Sequence, residues 1–340
     1  MPRLASIILF FIELISIDAV AQSSKHPKVF EEEEILSIRL AYSFNQILKS
    51  TSDSVYFSST MYYSRDMQSW DSVRIGVRGR GKFRRENCFF TPIRIKIDKD
   101  DAKGTLFQGN RNLKLVLPCK TGNRYNDLVL KEYICYQMYE PLTPYTLNTR
   151  QLNATITDVG GKQNKTYDVK AFFIEDDDAA AKRFDGKAID DSLHPRQIDD
   201  TCSIRFDLFE YMIANTDWSS TYQHNSKTIR TGKKCVPIAY DFDMAGFVNA
   251  SYAQTNEALN IKSVRERVYR GYCRDENVAQ FVRRDFIQSM PSVFDALRRY
   301  EQNFDPNEFA KMKKFIQEFF DILNNDKLYQ HRILKACRAD

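Results

Sequence analysis

The sequence predicts an α+β chain in two lobes, an N-terminal antiparallel sheet lobe with one inserted helix followed by a mainly helical C-terminal lobe. Three observations predict it. Apolar residues alternate with period two at Ile38, Leu40, Tyr42 and Phe44, at Val73, Ile75 and Val77, at Ile93, Ile95 and Ile97, and at Leu113, Leu115 and Leu117. That period marks half-buried strands. The spacing then turns helical across Leu128, Tyr133, Tyr136 and Tyr139, and beyond Asp200 the long patterns are helical. The boundaries this implies are a leader over 1–21, a β-rich lobe over 22–175 and a helical lobe over 176–340.

The first residues read as a signal peptide. Arg3 supplies the positive end, Leu4 to Ile17 the apolar stretch, and Ala19-Val20-Ala21 the small-residue cleavage site. The alternative is a buried N-terminal helix. The leader directs the chain out of the cytoplasm, to the periplasm or beyond. No later stretch is long and apolar enough to cross a bilayer, so the mature chain is expected to carry no transmembrane segment. Four period-two strands come next, the last stopped by Pro118. A helix follows over about 125–140, stopped by Pro141. Two more strands are expected near 152–157 and 167–174. Glu175-Asp176-Asp177-Asp178 is a polar break suited to a connector, and 185–199 reads as a loop. A helix over 200–214 turns Ile204, Leu208 and Met212 inward. Asp305 caps another, with Pro306 in its first turn and Glu308 completing a capping box. Phe309, Met312, Phe315, Ile316, Phe319, Phe320 and Leu323 give that helix an apolar stripe for core packing.

Composition narrows the partners. Apolar content of 43% supports a true core, and the net charge of +5 suits an anionic ligand. Loss of Arg3, Glu13 and Asp18 with the leader raises that charge by one. No basic helix or aromatic–basic repeat points to nucleic acid. The seven cysteines include no C-x-x-C pair, which removes zinc-finger spacing. They remain open to two readings, disulfides in an exported chain or small buried apolar residues.

The candidate chemistry lies in Asn215-Thr216-Asp217-Trp218, His224-Asn225 and Tyr240-Asp241-Phe242-Asp243. Asp217 follows an apolar helix, which puts its carboxylate at a helix end. Asp241 and Asp243 follow the apolar strand Val236 to Tyr240, and carboxylates leaving a strand end suit a hard cation such as Mg²⁺. A capping or turn role is the alternative for both stretches. Arg78-Gly79-Arg80-Gly81-Lys82 with Arg84-Arg85 is the densest basic stretch, able to grip phosphate or to form a solvated hairpin. It matches no Walker loop. Arg265, Arg267 and Arg270 are spaced for one helix face.

These stretches, with Leu113-Lys114-Leu115-Val116, Leu130-Lys131-Glu132-Tyr133 and Phe172-Phe173-Ile174-Glu175-Asp176, resemble the CotH-like branch of the atypical protein-kinase-like superfamily, the spore-coat kinase relatives. Within it they are most similar to exported bacterial members without a characterised function. The resemblance covers roughly residues 73–270. It implies a two-lobe protein-kinase-like fold. It also implies phosphoryl transfer from a Mg²⁺ (or Mn²⁺) complex of ATP or another nucleoside triphosphate to a protein, glycan or small-molecule hydroxyl. Asp217 is then the catalytic base and Asp241 the principal metal ligand, with Asn225 and Asp243 beside it. Lys114, with Lys96 as a rival, pairs with Glu132 over the phosphates, and Arg78 and Arg80 add cofactor contacts. Asp217 to Asn225 spans eight positions where the usual kinase loop has five. That departure keeps two alternatives in play: a kinase-like protein that binds without catalysis, and a metal-dependent phosphoesterase.

Overall fold

The computed structural model describes residues 28–339 except 51 and 53. The expected leader lies outside these residues. Helix α1 (Lys28–Glu31) leads into β1 (Leu36–Tyr42), α2 (Phe44–Lys49), β2 (Phe57–Ser64) and β3 (Asp71–Gly79). Then come α3 (Lys82–Asn87), β4 (Ile93–Lys96), α4 (Lys99–Ala102), β5 (Asn112–Val116) and the long α5 (Asn123–Tyr139). Strands β6 (Thr149–Asp158) and β7 (Lys165–Glu175) finish this half.

The sheet is not the open antiparallel layer of a two-lobe kinase-like fold, and that expectation is overturned. Seven strands close into a barrel in the order β1-β2-β3-β4-β5-β7-β6. The closure is a parallel pairing of β1 with β6 over seven positions, from Leu36 opposite Leu152 to Tyr42 opposite Asp158. All other neighbours are antiparallel, so the barrel is mixed. Closing a sheet satisfies both of its edges. Alternation in the sequence shows that 38–44 is half buried. It cannot show that a strand more than a hundred residues away is its partner. Phe44, the last residue of that alternation, begins α2, where Ser43 caps the turn by accepting from the Gln46 amide.

The period-two residues fill the barrel. Ile38, Leu40, Val73, Ile75, Val77, Ile93, Ile95, Leu113, Leu115, Leu152, Ile156 and Phe173 form one core. The intervening residues of β5 and β7 face outward. There Val116, Phe172 and Ile174 join the core of the helical half, and Lys114 sits among them.

That half begins with α6 (Asp177–Arg183) and β8 (Lys187–Ile189), followed by α7 (Asp200–Met212). Strands β9 (Ser226–Thr231) and β10 (Lys234–Ala239) form a hairpin, which β8 extends to a three-stranded sheet. Helices α8 (Glu276–Arg298), α9 (Pro306–Asn324) and α10 (Asp326–Tyr329) complete the chain. Asp305 caps α9 by accepting from the Asn307 and Glu308 amides, and the predicted stripe of α9 is buried. Lys131 of α5 pairs with Glu308 across the two halves. Among the described residues no helix is long and apolar enough to cross a membrane.

Four cysteines pair, Cys88 with Cys119 and Cys273 with Cys337, while Cys135, Cys202 and Cys235 are free thiols. Both sequence readings of the cysteines are thus realised, at different residues.

Candidate functional site

The β9–β10 hairpin builds the site. Its pairing places Ser226 opposite Ala239, so the residues just outside, Asn225 and Tyr240-Asp241, leave the sheet side by side. On the other flank α7 ends at Met212, and Ala214 turns the chain with φ of 52°. Asn215 then accepts from the Asp217 amide at 3.0 Å. Trp218 is buried and donates its indole N–H to the Asn215 carbonyl at 3.0 Å. A short bridge between Ser219 and His224 closes the loop.

Those contacts fix the Asp217 carboxylate from both sides. His224 Nε2 lies 2.9 Å from Oδ1, and Asn225 Nδ2 donates to Oδ2 at 3.0 Å. The same Nδ2 donates to the Asp217 carbonyl at 2.7 Å, which spans the eight-position reach. Asn225 and Asp241 both have left-handed backbones, with φ of 46° and 65°. Asparagine and aspartate adopt that region at low cost among side-chain-bearing residues. Asp241 is held there by its amide, which donates to the Tyr136 hydroxyl of α5 at 3.0 Å. Gly246 anchors the next turn. A Cβ there would lie 2.3 Å from the Val264 carbonyl oxygen.

Behind the Asp241 turn is a buried charge cluster. Arg84 of α3 reaches within 3.9 Å of Asp243 and donates to the Leu117 carbonyl. Arg80 donates to the Tyr240 hydroxyl at 2.7 Å. Glu132 of α5 is buried facing Asp243, Arg84, Asp241 and Arg80, and its Oε1 has no hydrogen-bond partner. Burial first, then Asp243, pushes the Glu132 carboxyl well above the usual range. Burial, with Asp241 adding to it, pushes Asp243 up to about 6. Asp217 lies close enough to contribute to that rise.

Several predicted placements are corrected. Lys114 does not pair with Glu132. Its ammonium donates to Asp177 at 2.7 Å and sits 4.8 Å from the Tyr240 ring centre. Lys227 joins the same carboxylate at 2.9 Å. Burial, reinforced by Lys227, pushes Lys114 down to about 8. The register explains the swap, because Lys114 stands opposite Ile174, three residues from Asp177. Arg78 packs on Tyr56, donating to its hydroxyl at 3.2 Å, and the rival Lys96 is near the same ring. The basic stretch is neither a solvated hairpin nor a glycine loop, since β3 runs into α3 and Arg84 is buried. The arginines at 265, 267 and 270 lie on no helix. They bond to main-chain carbonyls instead, Arg270 to those of Thr216 and Trp218, on either side of Asp217.

The structure therefore brings Asp217 with Asn225 and His224, and Asp241 and Asp243 with Glu132 and Arg80. Lys114 and Arg78 stand on the outer face of the barrel, Lys114 against the ring of Tyr240 next to Asp241 and Arg78 against Tyr56. Sequence reading missed Arg84 as a partner of Asp243, Asp177 and Lys227 as partners of Lys114, Tyr136 as the support of Asp241, and Arg270 as the clamp of the loop. Arg84 and Arg270 carried a signal as members of the two basic runs, and Asp177 as part of the acidic connector, but none of these signals named a partner. Among the described residues no group of three or more acidic, His or Cys side chains is arranged to hold a metal ion. A cavity of about 1490 Å³ lies between Phe30, Tyr133, Asn148, Glu175 and Arg183 and is lined by none of the predicted site residues.

Helix α7 buries two more acids beneath the loop. Burial pushes Asp207 up to about 7, although Arg274 and Arg338 oppose it. Glu210, fully buried, is raised well above the usual range. A carboxyl whose folded pKa exceeds its unfolded value stabilises the fold when protonated. That contribution is complete below about pH 4 and is lost as pH rises through about 7. Asp207→Asn should therefore remove part of the fall in stability between pH 4 and 8, on the order of a few kcal/mol. Urea midpoints across that range measure it. Parallel slopes for both proteins would refute the assignment.

No protein-family model and no curated protein matches the sequence.

Proposed function

We propose that the chain transfers a phosphoryl group from a magnesium–nucleotide to a hydroxyl of a protein, glycan or small molecule. The observation that carries this reading is the Asp217 carboxylate, about half exposed and oriented on both oxygens by His224 and Asn225 beside the left-handed Asp241 turn. A carboxylate so held can align an acceptor hydroxyl and take its proton as the phosphorus–oxygen bond forms. Arg270 keeps the loop in place through the Thr216 and Trp218 carbonyls.

The donor set fits Mg²⁺. Asn225 uses its Nδ2 on Asp217, which leaves Oδ1 for a cation. The Asp241 carboxylate accepts no hydrogen bond among the described residues, whereas Asp243 is engaged by Tyr252 and Arg84. Magnesium is commonly held by one or two carboxylates plus phosphate oxygens and water, so a closed protein cage is not required. Asp241 and Asn225 would hold it, and when bound it neutralises charge on the transferred phosphoryl group. The resemblance to CotH-like kinases and the export reading belong to the same proposal. The two disulfides support an oxidising compartment.

A second reading, ligand binding without catalysis, draws on Lys114, whose ammonium is committed to Asp177 instead of standing with Glu132. Thermal melting separates the readings from an inert protein. Millimolar Mg-ATP should raise the midpoint by several degrees through mass action. No rise with Mg²⁺ or Mn²⁺ sinks the phosphotransfer reading. A rise without phosphate incorporation into the protein or added hydroxyl acceptors favours binding alone.

A further inference from the structure

Across the outer face of the barrel, cross-strand register aligns Arg78 with Arg94 and Arg94 with Lys114. Like charges directly opposite one another are unfavourable unless something neutralises them. Part of the answer is Asp176, which pairs with Arg94. The rest is Asp177. Its Oδ1 lies 2.7 Å from Lys114 Nζ and 4.0 Å from Arg94, and its Oδ2 lies 2.9 Å from Lys227 Nζ. Three cations from three strands thus converge on one carboxylate, and against the opposing effect of burial Lys114 and Lys227 hold its pKa far below the usual range. Two lysines and an arginine around two oxygens is the arrangement that grips a phosphate group. The cluster is open on one side, with Arg94 and Lys227 about a quarter exposed while Lys114 is buried. The Tyr240 ring lies against both lysines, 4.8 and 5.9 Å from their ammonium groups. It connects the cluster to Arg80 and the Asp241 turn.

We infer that Lys114, Lys227 and Arg94 form a phosphate subsite that Asp177 fills in this structure, and that a polyphosphate ligand enters by displacing the Asp177 carboxylate. The inference rests on the phosphotransfer reading for the identity of the ligand as a phosphate donor. It gives Asp177 a role opposite to that of a binding residue, since it competes for the cations the ligand needs.

The sign of one variant tests this. Titration calorimetry of the full chain with inorganic tripolyphosphate should show Asp177→Asn binding about tenfold more tightly than wild type, and Lys227→Met about tenfold more weakly. Arg94→Gln provides a second loss-of-charge variant should Lys227→Met melt early. Equal or weaker binding by Asp177→Asn, undiminished binding by a folded Lys227 or Arg94 variant, or no binding at millimolar tripolyphosphate overturns the subsite. Mg-ATP run in parallel distinguishes a nucleotide from an inorganic polyphosphate as the source. Tripolyphosphate binding of the expected signs without transfer from Mg-ATP leaves the subsite standing and removes the phosphotransfer reading. Transfer with unchanged Asp177→Asn affinity removes the subsite alone.

Discussion

Asp217→Asn is expected to lower phosphoryl transfer by roughly 10²–10⁴-fold, the usual worth of a positioned base. The Mg-ATP melting shift should stay close to that of wild type. The substitution keeps the size of the side chain, and the residue is half exposed, so the loop has little reason to unfold. Loss falls on the base because an amide cannot accept the hydroxyl proton, and both partners lose a charged acceptor. Labelled-phosphate incorporation alongside a melting curve measures both effects. Full activity in the variant would remove Asp217 from the chemistry. Loss of both activity and the melting shift would make it a ligand contact instead.

Phe242→Ala should cost about 3–5 kcal/mol of stability, the range for deleting a buried aromatic ring. The ring is fully buried between halves of the molecule, 4.6 Å from the Tyr136 ring of α5 and 5.4 Å from Phe209 of α7. Its neighbour Asp241 takes its backbone support from the same Tyr136. Truncation therefore opens a cavity and loosens the turn that presents Asp241. Urea unfolding should show the lost stability, and Mg-ATP affinity should fall with it. Phe242→Leu, which keeps more volume, should lose less of both. A variant with wild-type stability would mean the ring is not the link between α5 and the Asp241 turn.

Local pattern made much of the fold legible. Alternation at 73–77, 93–97 and 113–117 found β3, β4 and β5, and the change of period found α5, because both signals come from residues that face one core. The stripe from Phe309 to Leu323 found α9 for the same reason. Barrel closure was invisible because it depends on which strand β1 meets, and the partner lies beyond the reach of any local period. At the site, Asp217, Asn225, Asp241 and Asp243 stand out in sequence through turn chemistry after an apolar helix and an apolar strand. Their arrangement follows from the β9–β10 register. The Lys114–Glu132 pairing failed for a related reason. The sequence offers a lysine on a strand and a glutamate on the next helix, but register puts Lys114 beside the connector, and Glu132 meets arginines instead. Arg270 was legible as a charge and illegible as a clamp, since main-chain carbonyls leave no mark in the sequence.

The parallel seam between β1 and β6 also sets the order of events during synthesis. β1 emerges from the ribosome well before its β6 partner, so until residues 152–158 appear the nascent chain carries an apolar strand with one unpaired edge. Pairings of such long sequence separation form slowly and leave edges open to intermolecular contact meanwhile. The barrel can close only after α5 has been made, which ties completion of the first half of the molecule to the helix that supports Asp241.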